Sequence, residues 1–231
     1  MASVRLPIVM TLVAFTSAAV LGAQSARSGD FARAQQANNA ALRTYTWKSR
    51  TELKVKGETK KVTLEHVRFD IDGQLQKTRI GGTADDLPRG RRGGPIKQRI
   101  VAKKIEDFKE EMSALAALAA SYGHLSHERL DAFAKGSTIG RDESLYPGTI
   151  RIDGRDVLMA DDSMTVWIDP ATLMTRHVEI RTRFEDDPVR LVADYRTVVN
   201  GPTYQARAVL RYPEDQIEVV VENFEFMRQN P

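Results

Sequence analysis

From residue 45 onward the chain alternates apolar and charged positions. Tyr45, Trp47, Ser49, Thr51, Leu53 and Val55 alternate with Thr46, Lys48, Arg50, Glu52, Lys54 and Lys56, the period of two that marks a strand with one buried face. Gly57-Glu58 signals a hairpin. In the next strand Val62, Leu64 and His66 give way to Val67, Phe69 and Ile71, and that change of parity predicts a β-bulge near His66. Asp72-Gly73 predicts a tight turn back through Leu75 to Ile80. Ahead of these strands, Asp30 suits an N-cap for a helix running to about Leu42.

Residues 81–95 break the alternation with Gly81, Gly82, Gly90, Gly93, Gly94, Pro88 and Pro95, which predicts a mobile surface loop. Residues 96–136 follow as a helical pair. Ile105, Phe108, Met112, Leu115, Ala119 and Tyr122 recur at spacings of three and four, one apolar stripe along a long helix. Pro95 fits its first turn and Gly123 its end. Ser126 fits the N-cap of a second helix, with Leu125 and Leu130 stapled around it.

Beyond Ser137 the pattern is almost all strand. Ile150 and Ile152 lead to an expected second Asp-Gly turn at Asp153-Gly154. Val166 and Ile168 share a face, Asp169-Pro170 turns the chain, and Val178, Ile180, Thr182 and Phe184 share a face of the next strand. Glu185 to Pro188, Asn200-Gly201-Pro202 and Pro213-Glu214-Asp215 close further hairpins. A parity change from Val219 and Val221 to Phe224 and Phe226 predicts another bulge. The sum is an α+β fold: a curled antiparallel meander of about nine to eleven strands, an open half-barrel. The inserted helical pair and the short N-terminal helix cover it.

Residues 1–26 have the order of a secretory signal peptide: Arg5, an apolar run from Leu6 to Leu21, then Gly22, Ala23 and Ala26. The expected mature domain is 27–231, exported and soluble, in the periplasm of a Gram-negative-type bacterium. Its lack of cysteine excludes a disulfide framework, a thiolate metal site and a thiol nucleophile. The net charge of +3 falls to +2 without Arg5, and base-stacking aromatics do not punctuate the basic runs, which argues against nucleic acid.

No catalytic, metal or cofactor signature stands out. His124 and His127 straddle a helix corner instead of sharing a helix face as in a zinc hydrolase motif. Asp161-Asp162 and Asp186-Asp187 fall in turns, where Asp is favoured locally. His66 and His177 sit in strands as expected surface or bulge residues. Parity sets Trp167 on the face opposite Val166 and Ile168. No convergence of Trp167, Asp169 and His177 is therefore predicted.

The element order, the Trp167-Ile168-Asp169-Pro170 turn, Asn200-Gly201-Pro202 before two final strands, and Asn39, Leu42, Tyr45 and Trp47 resemble the superfamily of LolA, the periplasmic lipoprotein carrier, with LolB and RseB. The resemblance covers most of the expected mature chain. It implies an open β-barrel plugged by helices, a non-enzymatic role without cofactor, and a hydrophobic ligand or lipidated protein as partner. The family carrier closes its lid with an arginine bonded to backbone carbonyls, and no local motif identifies that arginine here. The expected apolar lining is Trp47, Leu53, Val166, Ile168, Val178, Ile180, Leu191, Tyr195 and Leu210, with Phe108, Met112 and Leu115 on the lid. Arg89, Arg91, Arg92, Lys97, Arg99, Lys103 and Lys104 gather around the lid helix start, an expected dock for an anionic membrane surface or another envelope protein. Two alternatives stand beside the carrier: an interaction or sensor module with a filled core, and, ranked last, an exported hydrolase.

Overall fold

Eight hairpin steps and one long crossover build a single open sheet in the computed structural model, which describes residues 25–83 and 95–229. The strands are β1 (Tyr45–Val55), β2 (Glu58–Phe69), β3 (Leu75–Gly82), β4 (Thr138–Arg141), β5 (Ile150–Arg155), β6 (Ser163–Ile168), β7 (Thr175–Phe184), β8 (Asp187–Thr197), β9 (Thr203–Tyr212) and β10 (Ile217–Arg228). The helices are α1 (Ser25–Leu42), α2 (Pro95–Gly123) and α3 (His127–Gly136). The sheet order is β3-β2-β1-β10-β9-β8-β7-β6-β5-β4, antiparallel at every pair. Strands β3 and β4 are the two edges, so the sheet does not close. The chain crosses from one edge to the other through α2 and α3. The expected α+β meander is therefore the architecture, with ten strands.

The turns follow from their residues. Lys56 (φ 54°) and Gly57 (φ 77°) join β1 to β2, and Glu185 (φ 50°) and Asp186 (φ 73°) join β7 to β8. Two successive left-handed residues match the twist of a tight hairpin. Asp169 Oδ1 accepts from the amides of Ala171 (2.9 Å) and Thr172 (3.2 Å), closing the β6–β7 turn with its own side chain. Ser126 Oγ caps α3 at the Arg129 amide, 3.3 Å away.

Three boundaries differ from expectation. Helix α1 begins at Ser25, so Asp30 lies within it and is not its N-cap. Gly81 and Gly82 belong to β3, paired with Leu64 and Thr63 of β2. Asp153-Gly154 is no turn: Gly154 lies in β5 opposite Met164. Any Cβ there would overlap the Phe133 ring of α3, so the glycine serves close approach of helix to strand. The chain reverses later, over 156–162. The expected signal segment, apart from Ser25 and Ala26 in α1, and the expected loop, apart from Gly81, Gly82, Thr83 and Pro95, lie outside the described residues. Among the described residues no helix is long and apolar enough to cross a membrane.

Register places the apolar side chains in rows across the sheet. Ile152, Val166, Val178, Ala193, Ala208 and Val221 are successive cross-strand partners from β5 to β10. Met164, Ile180, Leu191, Leu210, Val219 and Leu53 form the adjoining row from β6 to β1. All belong to one buried core with Met112, Leu115, Ala119 and Tyr122 of α2, Phe133 of α3 and Phe31 of α1. Each fully buried side chain of this kind contributes about 1.5–3 kcal/mol.

Candidate functional site

Helix α2 is the first part of the site. Met112, Leu115, Ala119 and Tyr122 keep the three- and four-residue spacing of one helix face and are at most 1% exposed. Val166, Ile168, Val178, Ile180, Leu191 and Leu210 beneath them are at most 2% exposed. The residues expected to line the sheet are therefore buried in one core with α2. Leu53 and Tyr195 are also buried, and Phe108 is half-buried beside the same core. Trp47 is buried elsewhere: it stacks on Phe226 (5.3 Å between centroids, 8°) and tilts against Phe69.

Polar contacts at the α2–α3 corner clasp the loop between β5 and β6. The Tyr122 hydroxyl lies 2.6 Å from Asp162 Oδ2 and 2.7 Å from Thr182 Oγ1. Asp162 is 1% exposed and accepts the amides of Val157 (2.5 Å), Leu158 (2.9 Å) and Met159 (3.1 Å). Burial pushes the Tyr122 phenol well above its ordinary value, and the hydrogen bond to Asp162 adds to it. From α3, Arg129 Nη1 donates to the carbonyls of Val157 and Leu158, both at 3.0 Å. Arg129 is thus an arginine bonded to backbone carbonyls, the type that no sequence motif identified. Carbonyls carry no residue signature, so only the fold could find it.

Further along α2 the contact is of opposite character. Glu111 meets Asp215 of the β9–β10 turn and Glu185 of the β7–β8 turn, and its carboxyl is pushed up to about 7, by burial first and then by Asp215 and Glu185. One contact of α2 is thus a buried hydrogen-bonded clasp and the other a like-charge cluster.

The convex face holds groups that parity alone kept apart. Trp167 and His177 are cross-strand partners with ring centroids 5.0 Å apart, and both are buried. His177 is therefore no surface residue; it flanks the bulge that Arg176 makes in β7. The β4–β5 loop covers them. Asp142 accepts from the Ser144 (2.7 Å) and Leu145 (3.0 Å) amides and from Trp167 Nε1. The Ser144 amide leads in holding its carboxyl down at about 2. Tyr146 stacks on His177 at 4.7 Å. His177 Nδ1 lies 2.9 Å from the Tyr146 hydroxyl and 2.7 Å from Asp194 Oδ1. Burial raises the Tyr146 phenol, and the Asp194 and Glu179 charges raise it further.

Beside this cluster a cleft of about 850 Å³ opens, lined by Tyr146, Arg176, Asp194, Tyr195, Arg196, Thr197, Tyr204, Ala206, Arg207, Glu222, Asn223 and Phe224. Its lining shares only Tyr195 with the expected apolar set.

Of the expected docking cations, Lys103 and Lys104 are exposed on α2. Arg89, Arg91 and Arg92, and the side chains of Lys97 and Arg99, lie outside the described residues. His124 is exposed at the helix corner. Among the described residues no group of three His, Asp or Glu could hold a metal ion.

No family model and no curated protein matches the sequence. Among solved structures the chain is similar to an outer membrane lipoprotein-sorting protein domain from Vibrio parahaemolyticus, at 12% identity and a TM-score of 0.44, covering 87% of this chain and 92% of that one. A DUF1329 family protein from Desulfovibrio piger gives 8% identity and a TM-score of 0.39, over 84% and 92%. A LolA superfamily protein from Nitrosomonas europaea gives 9% and 0.32, over 86% and 94%. At these identities and scores ligand and partner rest on this chain's own geometry.

Proposed function

We propose that this chain is an exported envelope protein that holds an apolar ligand, an acyl chain, lipid or lipidated protein, against its concave sheet when α2 moves aside. One observation carries the reading: two apolar rows cross the sheet and are covered by a helix whose polar hold is the Tyr122–Asp162 contact, joined at the corner by Arg129. Displacing α2 would uncover the packed lining without breaking the sheet. Affinity would come from removing apolar surface from water, about 0.8 kcal/mol per buried methylene. No cofactor is needed.

Native mass spectrometry of protein purified from a bacterial envelope tests the proposal. A displaceable lipid or lipidated protein is expected, and more of it on Tyr122→Phe or Arg129→Gln, which loosen the latch. An apo mass throughout, for the parent and both variants, would overturn it.

A filled core equally suits a module that recognises another envelope protein through its surface. The near-complete burial of Met112, Leu115, Ile180 and Leu191 favours that second reading. Leu115→Glu separates the two. A carrier would keep a folded sheet and lose ligand, whereas an interaction module would unfold.

A further inference from the structure

The cleft on the convex face exists because the sheet forks. Strands β9 and β10 pair from Ile217–Tyr212 only as far as Glu222–Arg207. Beyond that point β9 stays with β8 down to Thr203–Thr197, and β10 stays with β1 down to Arg228–Tyr45. Each wall carries a bulge at the fork. Asp194 and Tyr195 of β8 face Arg207 and Gln205, so Ala206 is an extra residue in β9. Thr46 and Lys48 of β1 face Met227 and Phe224, so β10 carries an extra residue there, and Glu225 takes φ 54°. Bulges bend and twist the strand that bears them, and these two open adjacent strands. Across the gap Asn223 Nδ2 donates to the Gln205 carbonyl at 2.9 Å, and the Tyr204 and Phe226 rings approach to 3.8 Å. The gap is therefore braced.

Charge in the cleft is unevenly satisfied. Asp194 is held by His177 at 2.7 Å. Glu222 takes Arg50 at 3.5 Å and Arg207 at 4.0 Å. Arg176 and Arg196 are exposed, and neither has a hydrogen-bond or ion-pair partner among the described residues. Arg196 stands directly opposite Tyr204 in the β8–β9 ladder, and both line the cleft. Phe224 and Tyr146 supply further apolar wall. The volume falls in the range of small-molecule pockets.

We propose that this fork is a second binding site, for a small amphiphilic anion. Its carboxylate or phosphate monoester head is held by Arg176 and Arg196 and its apolar body lies along Tyr204 and Phe224. A guanidinium fork matches both heads, since each offers paired oxygens to parallel N–H donors. The lining sets three arginines, Arg176, Arg196 and Arg207, against two carboxylates, Asp194 and Glu222, so the cleft stays net positive. This site is separate from the concave face under α2.

Titration calorimetry on the full domain tests it with decanoate, decyl phosphate and decyltrimethylammonium. One or both anions are expected to bind, and the cation is not; which anion binds better identifies the head group. Arg176→Gln with Arg196→Gln should weaken the anion at least tenfold. Ala206→Trp should abolish binding by filling the cleft, with circular dichroism confirming the fold. Absence of anion binding overturns the proposal, as does binding untouched by both changes. Binding lost on Leu115→Glu in folded protein, and indifferent to Ala206→Trp, would overturn it too and place the ligand under α2.

Discussion

Tyr122→Phe tests the latch with the smallest change. The ring is fully buried against the core, so phenylalanine keeps the packing and removes only the hydroxyl. That hydroxyl lies 2.6 Å from an Asp162 oxygen and 2.7 Å from Thr182 Oγ1. A hydrogen bond to a charged acceptor contributes about 1.5–3 kcal/mol. Asp162 would keep the amides of Val157, Leu158 and Met159, so it would not be stranded, and the lower half of that range applies. We expect a loss of about 2 kcal/mol, or about 4–8 °C in midpoint for a domain of this size. Urea denaturation measures the total, and hydrogen exchange locates it. If the contact is a latch, amides of Met112 to Gly123 exchange faster while those of β7 to β9 hardly change. A loss below about 0.5 kcal/mol would refute the energetic reasoning. Uniform acceleration across helix and sheet would refute the idea that α2 opens on its own.

Three further outcomes follow from the same contacts. Glu111, pushed up to about 7 from 4.5, favours the folded state when protonated. Its contribution is full below the unfolded value, falls as pH rises through that window and is lost above about 7. After discounting for solvent screening this is about 1–2 kcal/mol, and Glu111→Gln should flatten the loss in urea midpoints measured across the window. Asp142 shifts the other way, to about 2 from 3.8. Its stabilising effect is present above the unfolded value and lost as pH falls through the folded one. Asp142→Ala should abolish that acid dependence and, in a Trp47→Phe background, shift Trp167 emission to the red. Gly154→Ala places a methyl against the Phe133 ring and should cost about 1–3 kcal/mol by overpacking; thermal melts would show it, with partial recovery on adding Phe133→Leu.

Alternation carried most of the fold because the side-chain period in a strand is two. Leu53, Val166, Val178, Ile180, Leu191 and Leu210 all fall on the buried face that parity assigns, and the helix stripe from Met112 to Tyr122 is the one that packs. Composition misled at Asp153-Gly154, where a tight-turn dipeptide sits inside β5. The requirement for glycine came from Phe133, a residue of a different element. Asp162 likewise looked like an ordinary turn residue. Its burial depends on Tyr122 reaching it across 40 positions of sequence.

The same period explains why the fork was invisible. A bulge resets parity, and a sequence shows where parity changes without showing which way the strand then leans. A change after Val221 was legible, but the register holds through Phe224 and the bulge falls beyond it, at Glu225. The bulge at Ala206 was not, because Ala206 and Ala208 read as one continuous small-residue face. Arg176 and Arg196 are typical exposed strand cations until those two bulges part β9 from β10 and leave a cleft beside them. Likewise parity set Trp167 on the face opposite Val166 and Ile168, and His177 was expected at the surface or in a bulge, yet both are covered. Asp142 folds the β4–β5 loop over them, through backbone amides that any residue could have supplied. What pattern can read is the face a residue takes. What covers that face depends on register, bulges and carbonyl-directed bonds such as those of Arg129, and both proposed sites are built from these.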